Sequence, residues 1–253
     1  MAEPCLSLKE LSKSFGPRAA VRGLSLDFAR GEIVGLLGPN GAGKSTTINI
    51  MSGFLKPTSG KVLWAGRPIH NLLDEWRRAI GVVLEDLSLF EHLTAREHIS
   101  LVGRMYGLSQ KETMRRAAEL LEFLMLEDSA DTQAREASQG TRKKLAFGLG
   151  IIHGPRFLFL DEALNGIDAL VVKDIKGLLK RMSEGSGTTI ILSSHVLDTA
   201  ESLIDRCVMI KDGAVALDSS MEKIKASGKS LEKTYAEVMR GAEKEPRGLT
   251  WVS

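Results

Sequence analysis

Apolar and polar positions divide the 253-residue chain into three textures. At the start, LSLKELSKSF and AVRGLSLDF alternate in part and flank Gly16 and Pro17, which predicts two strands joined by a turn. EIVGLLG (32–38) is a continuous apolar run ending in glycine, the pattern of a strand buried on both faces. A helix is expected over 46–54, then short strands at 61–64 and 80–84. From residue 94 to about 130 the period changes. Leu101, Met105, Leu108, Met114, Leu120, Leu121, Leu124 and Met125 recur at helical intervals among charges, which predicts an inserted subdomain of two or three helices. Strand texture returns at 157–160, 189–192 and 207–210, with amphipathic stretches such as 171–182 between. Strands alternating with helices imply a parallel α/β sheet. Residues 221–240 read as helical and the last dozen as a polar tail. There is no internal repeat and no low-complexity segment.

Composition narrows the function. Hydrophobic residues at 43% and charged residues at 26% suit a globular protein and exclude disorder or a fibrous repeat. A net charge of +2 gives no field for nucleic acid or anionic lipid, and 5% aromatics give no base-stacking platform. Cys5 and Cys207 lie far apart and match no metal spacing. They suggest a reducing compartment, although one disulfide remains open to them. MAEPCLSLKE lacks the apolar core of a signal peptide. The longest stretch free of Asp, Glu, Lys and Arg, 185–197, is partly polar and shorter than the ~18 apolar residues of a membrane span, so the chain is not expected to cross a bilayer by itself. Basic pairs at Arg77–Arg78, Arg115–Arg116 and Lys143–Lys144 read as solvated helix faces. The departure is glycine: 25 residues, about 10% against a usual ~7%.

Some of those glycines stand where phosphate chemistry needs them. Gly38, Pro39, Asn40, Gly41, Ala42, Gly43, Lys44 and Ser45 fit G-x-x-x-x-G-K-[ST], between an apolar strand and a helix. Gly38, Gly41 and Gly43 let the backbone turn tightly, so its N–H groups point at phosphate oxygens. The next helix adds its positive end. Lys44 supplies a charge for the β- and γ-phosphates, Ser45 a hydroxyl for Mg²⁺, and Thr46 a donor for an α-phosphate. FLFLDEA (157–163) is an apolar strand ending in two acids. Asp161 suits Mg²⁺ held through water, and Glu162 suits the water that attacks the γ-phosphate. Alone, such a pair is as readily a helix N-terminus decorated with acids; the phosphate loop decides for chemistry.

Together these residues resemble the nucleotide-binding subunits of ABC transporters, over roughly residues 6–238. ASQGTRKKL (137–145) is similar to the family's signature, with Ser138 and Gly140 matching and Ala137, Gln139 and Thr141 departing from it. The resemblance implies that Ser138, Gln139 and Gly140 bind the γ-phosphate held by a second subunit. ALNGID (163–168) resembles the D-loop and assigns that position to Asp168. TIILSSHVLDTAE (189–201) resembles the switch segment, with His195 on the γ-phosphate. SKSFG (12–16) is similar to the segment whose aromatic stacks on adenine, here Phe15; the bland reading is a core phenylalanine. Glu85 stands where the family carries a glutamine, and a carboxylate there could still ligate Mg²⁺. Leu89, Phe90 and Leu93 fall in a segment that in the family receives the transmembrane partner.

The resemblance implies an α/β fold, a P-loop NTPase core with an N-terminal antiparallel β portion and an inserted α-helical subdomain. The expected division is 1–84 with 155–220 as the core, 85–154 as the helical subdomain and 221–253 as C-terminal helices and tail. Function is expected to be ATP hydrolysis with Mg²⁺, in a dimer around two ATP molecules. That dimer would drive transport through separate transmembrane permease subunits at the cytoplasmic face of the membrane, with no nucleic-acid partner. The C-terminal extension and the 231–239 helix incline the reading to an exporter-like type. Two alternatives stay open: a switch that binds ATP and hardly hydrolyses it, and a soluble ABC-type ATPase acting on DNA or ribosomes.

Overall fold

A computed structural model describes residues 4–85 and 89–240. Two sheets share one interior. The smaller is antiparallel: β2 (Arg18–Phe28), β1 (Leu6–Phe15), β4 (Ser59–Trp64) and β5 (Arg67–Pro68), in that order. The larger runs β10 (Ala214–Ser220), β9 (Arg206–Lys211), β3 (Ile33–Leu37), β8 (Thr189–Ser194), β7 (Phe157–Asp161) and β6 (Ile80–Val83). Its pairings are parallel except β10 on β9.

The unbroken apolar runs have a direct cause. Val34, Leu36, Phe157, Phe159, Ile191, Val208 and Ile210 point to one side, into a core shared with the small sheet and α1 (Lys44–Met51). Ile33, Leu37, Leu158, Leu160, Ile190, Leu192, Cys207 and Met209 point to the other, against helices. Successive strand residues face opposite ways, so a sheet covered on both faces needs no polar alternation. Trp76, on α2 (Leu73–Ala79), is fully buried in the first core and donates its indole N–H to Met51 O at 3.0 Å. Replacing a side chain of this size by alanine costs ~3–5 kcal/mol.

The helical region is α3 (Ala95–Met105) and α4 (Gln110–Phe123), followed by a short 3-10 turn and α5 (Gln139–Ile151). Thr94 and Glu97 form a reciprocal capping box at α3, and Ser109 caps α4. After β7 come α6 (Ala169–Arg181) and α7 (Leu197–Glu201), and after β10 come α8 (Met221–Ala226) and α9 (Leu231–Arg240). The helical texture expected over 221–240 resolves into these two helices, α8 and α9. Gly228, at φ +73°, breaks it in a left-handed conformation that helices use to stop. The helix expected over 46–54 runs instead from Lys44 to Met51, so it starts on the phosphate loop itself. The polar tail beyond residue 241 lies outside the described residues. Both cysteines are free, and burial pushes the Cys207 thiol up to about 12. No described helix is long and apolar enough to cross a membrane.

Candidate functional site

Parallel strands bring the motifs to one place. β3 delivers the glycine loop, β8 runs beside it, and β7 lies beyond β8, so all three release their loops at the same sheet edge. There Phe15, Asn40, Gly41, Gly43, Lys44, Ser45, Thr46, Glu85, Glu162 and His195 line one cleft of about 480 Å³. Phe15 is 51% exposed, so it is a wall of the cleft and not a core residue.

The loop is shaped by close approach. A Cβ on Gly43 would run into the Ala20 carbonyl oxygen, and Gly43 sits at φ +108°. Gly38 lies equally close to the Ile210 carbonyl. Ala42 is buried, and its N–H donates to Pro39 O at 3.1 Å. Gly43 N-caps α1 without a side-chain cap, which leaves first-turn N–H groups directed at the cleft. Lys44 is buried; its Nζ donates to Gly38 O at 2.8 Å and Pro39 O at 3.3 Å.

The two acids diverge. Asp161 Oδ1 accepts from Ser45 Oγ at 3.0 Å and from Ser193 Oγ at 2.6 Å. Glu162 takes φ +50°, a conformation rare outside glycine that costs ~1–3 kcal/mol. Its N–H donates to Ser193 Oγ at 3.0 Å. Its side chain, in a residue only 6% exposed, meets three groups. Asn165 Nδ2 donates to Oε2 at 2.7 Å, His195 Nδ1 stands 2.9 Å from the same oxygen, and Lys44 Nζ lies 4.0 Å from Oε1. His195 itself is mostly exposed. Among the described residues no three His, Cys, Asp or Glu side chains cluster as a metal cage. An oxygen-only pair, Ser45 and Asp161, beside a phosphate loop fits a hard cation that takes most of its ligands from phosphate and water.

Ser138, Gln139, Gly140 and Asp168 do not enter this cleft. Ser138 N-caps α5, accepting from Thr141 N at 3.1 Å, and is exposed like Gln139. Asp168 N-caps α6; the Val171 N–H holds its carboxyl below the usual range, with Lys144 adding to it. Gly166, at φ +76°, makes the turn before it. Glu85 is exposed on the cleft wall.

Two expectations change here. Lys143 and Lys144 are not a solvated pair. Lys143 is buried and donates to Asn165 O at 2.6 Å, while Lys144 Nζ lies 3.6 Å from Asp168 Oδ2. Leu89 packs on the helix-side core and Leu93 is half-buried, while Phe90 is exposed. Residues missed in the sequence are Asn165, Ser193, Lys143 and Arg18. Ser193 and Lys143 act through partners far along the chain, and Arg18 reaches the cleft only through the placement of its strand. Ser193 alone has a legible signal, since it follows an apolar strand just before His195.

The family model for "ABC transporter" matches residues 21–165. A Bacillus subtilis protein named as an uncharacterized ABC transporter ATP-binding protein, YdbJ, is 31% identical over 253 residues, covering 100% of this chain and 79% of its own. The linearmycin resistance ATP-binding protein LnrL of the same organism is 36% identical over 208 residues, covering 82% and 67%. Among solved structures, an ATP-binding subunit of an ABC transporter superposes with TM-score 0.86 at 30% identity, covering 92% of this chain and 99% of the other. A dimeric ATP-binding cassette in a post-hydrolysis state with ADP and Pi gives 0.77 at 28%, covering 85% and 98%.

Proposed function

The chain belongs to the ABC transporter family of ATP-binding subunits, and on that premise we propose how its residues divide the hydrolysis of ATP. The observation that carries the assignment is Glu162, a buried carboxylate held by Asn165 and His195 at the edge of the phosphate loop. Adenine stacks on Phe15. The N–H groups of residues 40–46 and the Lys44 ammonium receive the phosphates, and Lys44 exchanges its loop carbonyls for phosphate oxygens. Ser45 and Asp161 would hold Mg²⁺ together with the phosphates, with Glu85 at its margin; bound there, the ion neutralises charge on the transferred group. Glu162 accepts the proton of the attacking water. His195 holds the Glu162 carboxylate in position and reaches the γ-phosphate from its exposed face.

A second cassette supplies the remaining wall. Ser138 and Gly140 offer a hydroxyl and N–H groups at a helix N-terminus, an anion site that the chain's own cleft does not use. Two copies arranged head to tail place each signature over the other's ATP. A transmembrane permease, docked beside exposed Phe90 at the cytoplasmic face of the membrane, takes up the closing motion. The exporter-like reading rests on the C-terminal extension and α9; relatives named for Nod factor export and for methionine import are similarly identical, at 36% and 34%.

The test is Glu162→Gln, which keeps the shape and removes the base. Phosphate release should fall by about 100-fold or more while MgATP binding persists and the dimer accumulates on size-exclusion chromatography. Unchanged release would remove Glu162 as the base. Copurification with an integral membrane protein checks the partner.

A further inference from the structure

The cleft contains a second cation that the phosphate-loop motif does not include. Arg18 opens β2, directly across the β1–β2 turn from Phe15, and both side chains line the cleft. A Cβ built on Gly41 would stand 3.3 Å from Arg18 Nη2, so the guanidinium lies against the backbone of the loop. Its strand is held there. Two residues on, the Ala20 carbonyl packs so closely on Gly43 that only a glycine fits. The two cations differ in their partners. Among the described residues Lys44 has Gly38 O, Pro39 O and Glu162 around its ammonium, whereas the Arg18 guanidinium makes no hydrogen bond or ion pair.

Charge gives this arrangement a purpose. Glu85 and Glu162 line the same cleft, and both repel a nucleotide's phosphates. One lysine already engaged by Glu162 does not offset them. A guanidinium carries five donors in a plane, and its fork matches two oxygens of a phosphate. Arg18 presents that fork between the adenine-stacking Phe15 and the turn at Gly41, which is the path of a phosphate chain running from a base on Phe15 to the loop.

We infer that Arg18 is a nucleotide-contacting residue whose guanidinium binds the phosphate chain of ATP from the small-sheet side, opposite the loop N–H groups and Lys44. The inference rests on the assignment of this cleft to ATP. It predicts that Arg18 contributes to phosphate affinity and not to base recognition. Arg18 is exposed, so removing it leaves the fold intact.

The experiment measures displacement of a fluorescent ATP analogue from the full chain by MgATP, MgADP and adenosine. Arg18→Ala should weaken MgATP and MgADP by about tenfold and leave adenosine unchanged, with the same thermal midpoint as the parent. Arg18→Lys should recover part of the loss, because an ammonium keeps the charge without the fork. Wild-type affinity for MgATP in Arg18→Ala overturns the proposal. An equal loss for adenosine also overturns it, since the contact would then be to the base or ribose. Lys44→Ala is run in parallel. If that variant binds MgATP normally, the assignment of the cleft fails and not only the role of Arg18.

Discussion

The loop at 38–45 and the segment at 137–141 both set small residues at the N-terminus of a helix, yet they are finished to different degrees. In the loop, Gly43 caps α1 with no side chain, so the helix N–H groups stay available. Behind it, Asp161 receives Ser45 and Ser193, and Glu162 receives Asn165 and His195. In the signature segment, Ser138 caps its own helix and faces solvent. The rest of α5 is tied down, through Lys143 to Asn165 O, Lys144 to Asp168 and buried Leu145 and Phe147. A phosphate site needs donors on several sides. One chain completes the first; the second stays open, as the proposed head-to-tail pairing requires.

The difference also links the two regions. Asn165 accepts from Lys143 with its backbone and donates to Glu162 with its side chain. The signature helix is thus two hydrogen bonds from the proposed base. On the proposed pairing, a partner seated on α5 would reach Glu162 by this route.

The comparison can be broken at graded points. The largest effect is expected from Glu162→Gln, with phosphate release down about 100-fold or more and binding retained. Ser138→Arg should cut release by about 100-fold without changing MgATP binding by the isolated chain, because the donor it removes serves another copy's ATP. Mixing Ser138→Arg with Lys44→Ala should then restore release, since the mixed pair holds one intact interface. No recovery on mixing would end the idea of a shared site between two copies of this chain. Asn165→Ala should lower kcat by about tenfold at nearly constant KM, as the carboxylate loses one of its positioning bonds. A KM change alone would mean that Asn165 serves binding. Phe15→Ala is the smallest: a loss of two- to tenfold in MgATP affinity, the scale of one aromatic stack, read by nucleotide titration. Full affinity in that variant would make Phe15 a bystander.

Much of the cleft was legible from order alone. The strand 32–38, the glycine loop and FLFLDE are local patterns, and each carries its own geometry. Phe15 was the weaker signal by sequence, because a phenylalanine ending a strand can serve a core; its exposure excludes the core. The basic pair Lys143–Lys144 was misread for a related reason. Charge on a helix usually seeks water, and only the approach of residues 165–168 turns these lysines inward. The C-terminal helices were legible as helical texture, but where they divide was not, because one glycine among helix formers is tolerable until a left-handed turn is required, as at Gly228.

By itself the sequence determined the chemistry: residue types at fixed short spacing make a phosphate loop, an acidic strand end and a histidine after a strand, since these depend on local backbone geometry. Tertiary structure alone decided which groups meet. It set Asp161 against Ser45, Glu162 between Lys44, Asn165 and His195, and Arg18 against Gly41, while holding Ser138 outside the cleft. The reason is that parallel pairing sets Ile33 beside Ile190, more than a hundred residues on, and no local pattern encodes which loops share a sheet edge.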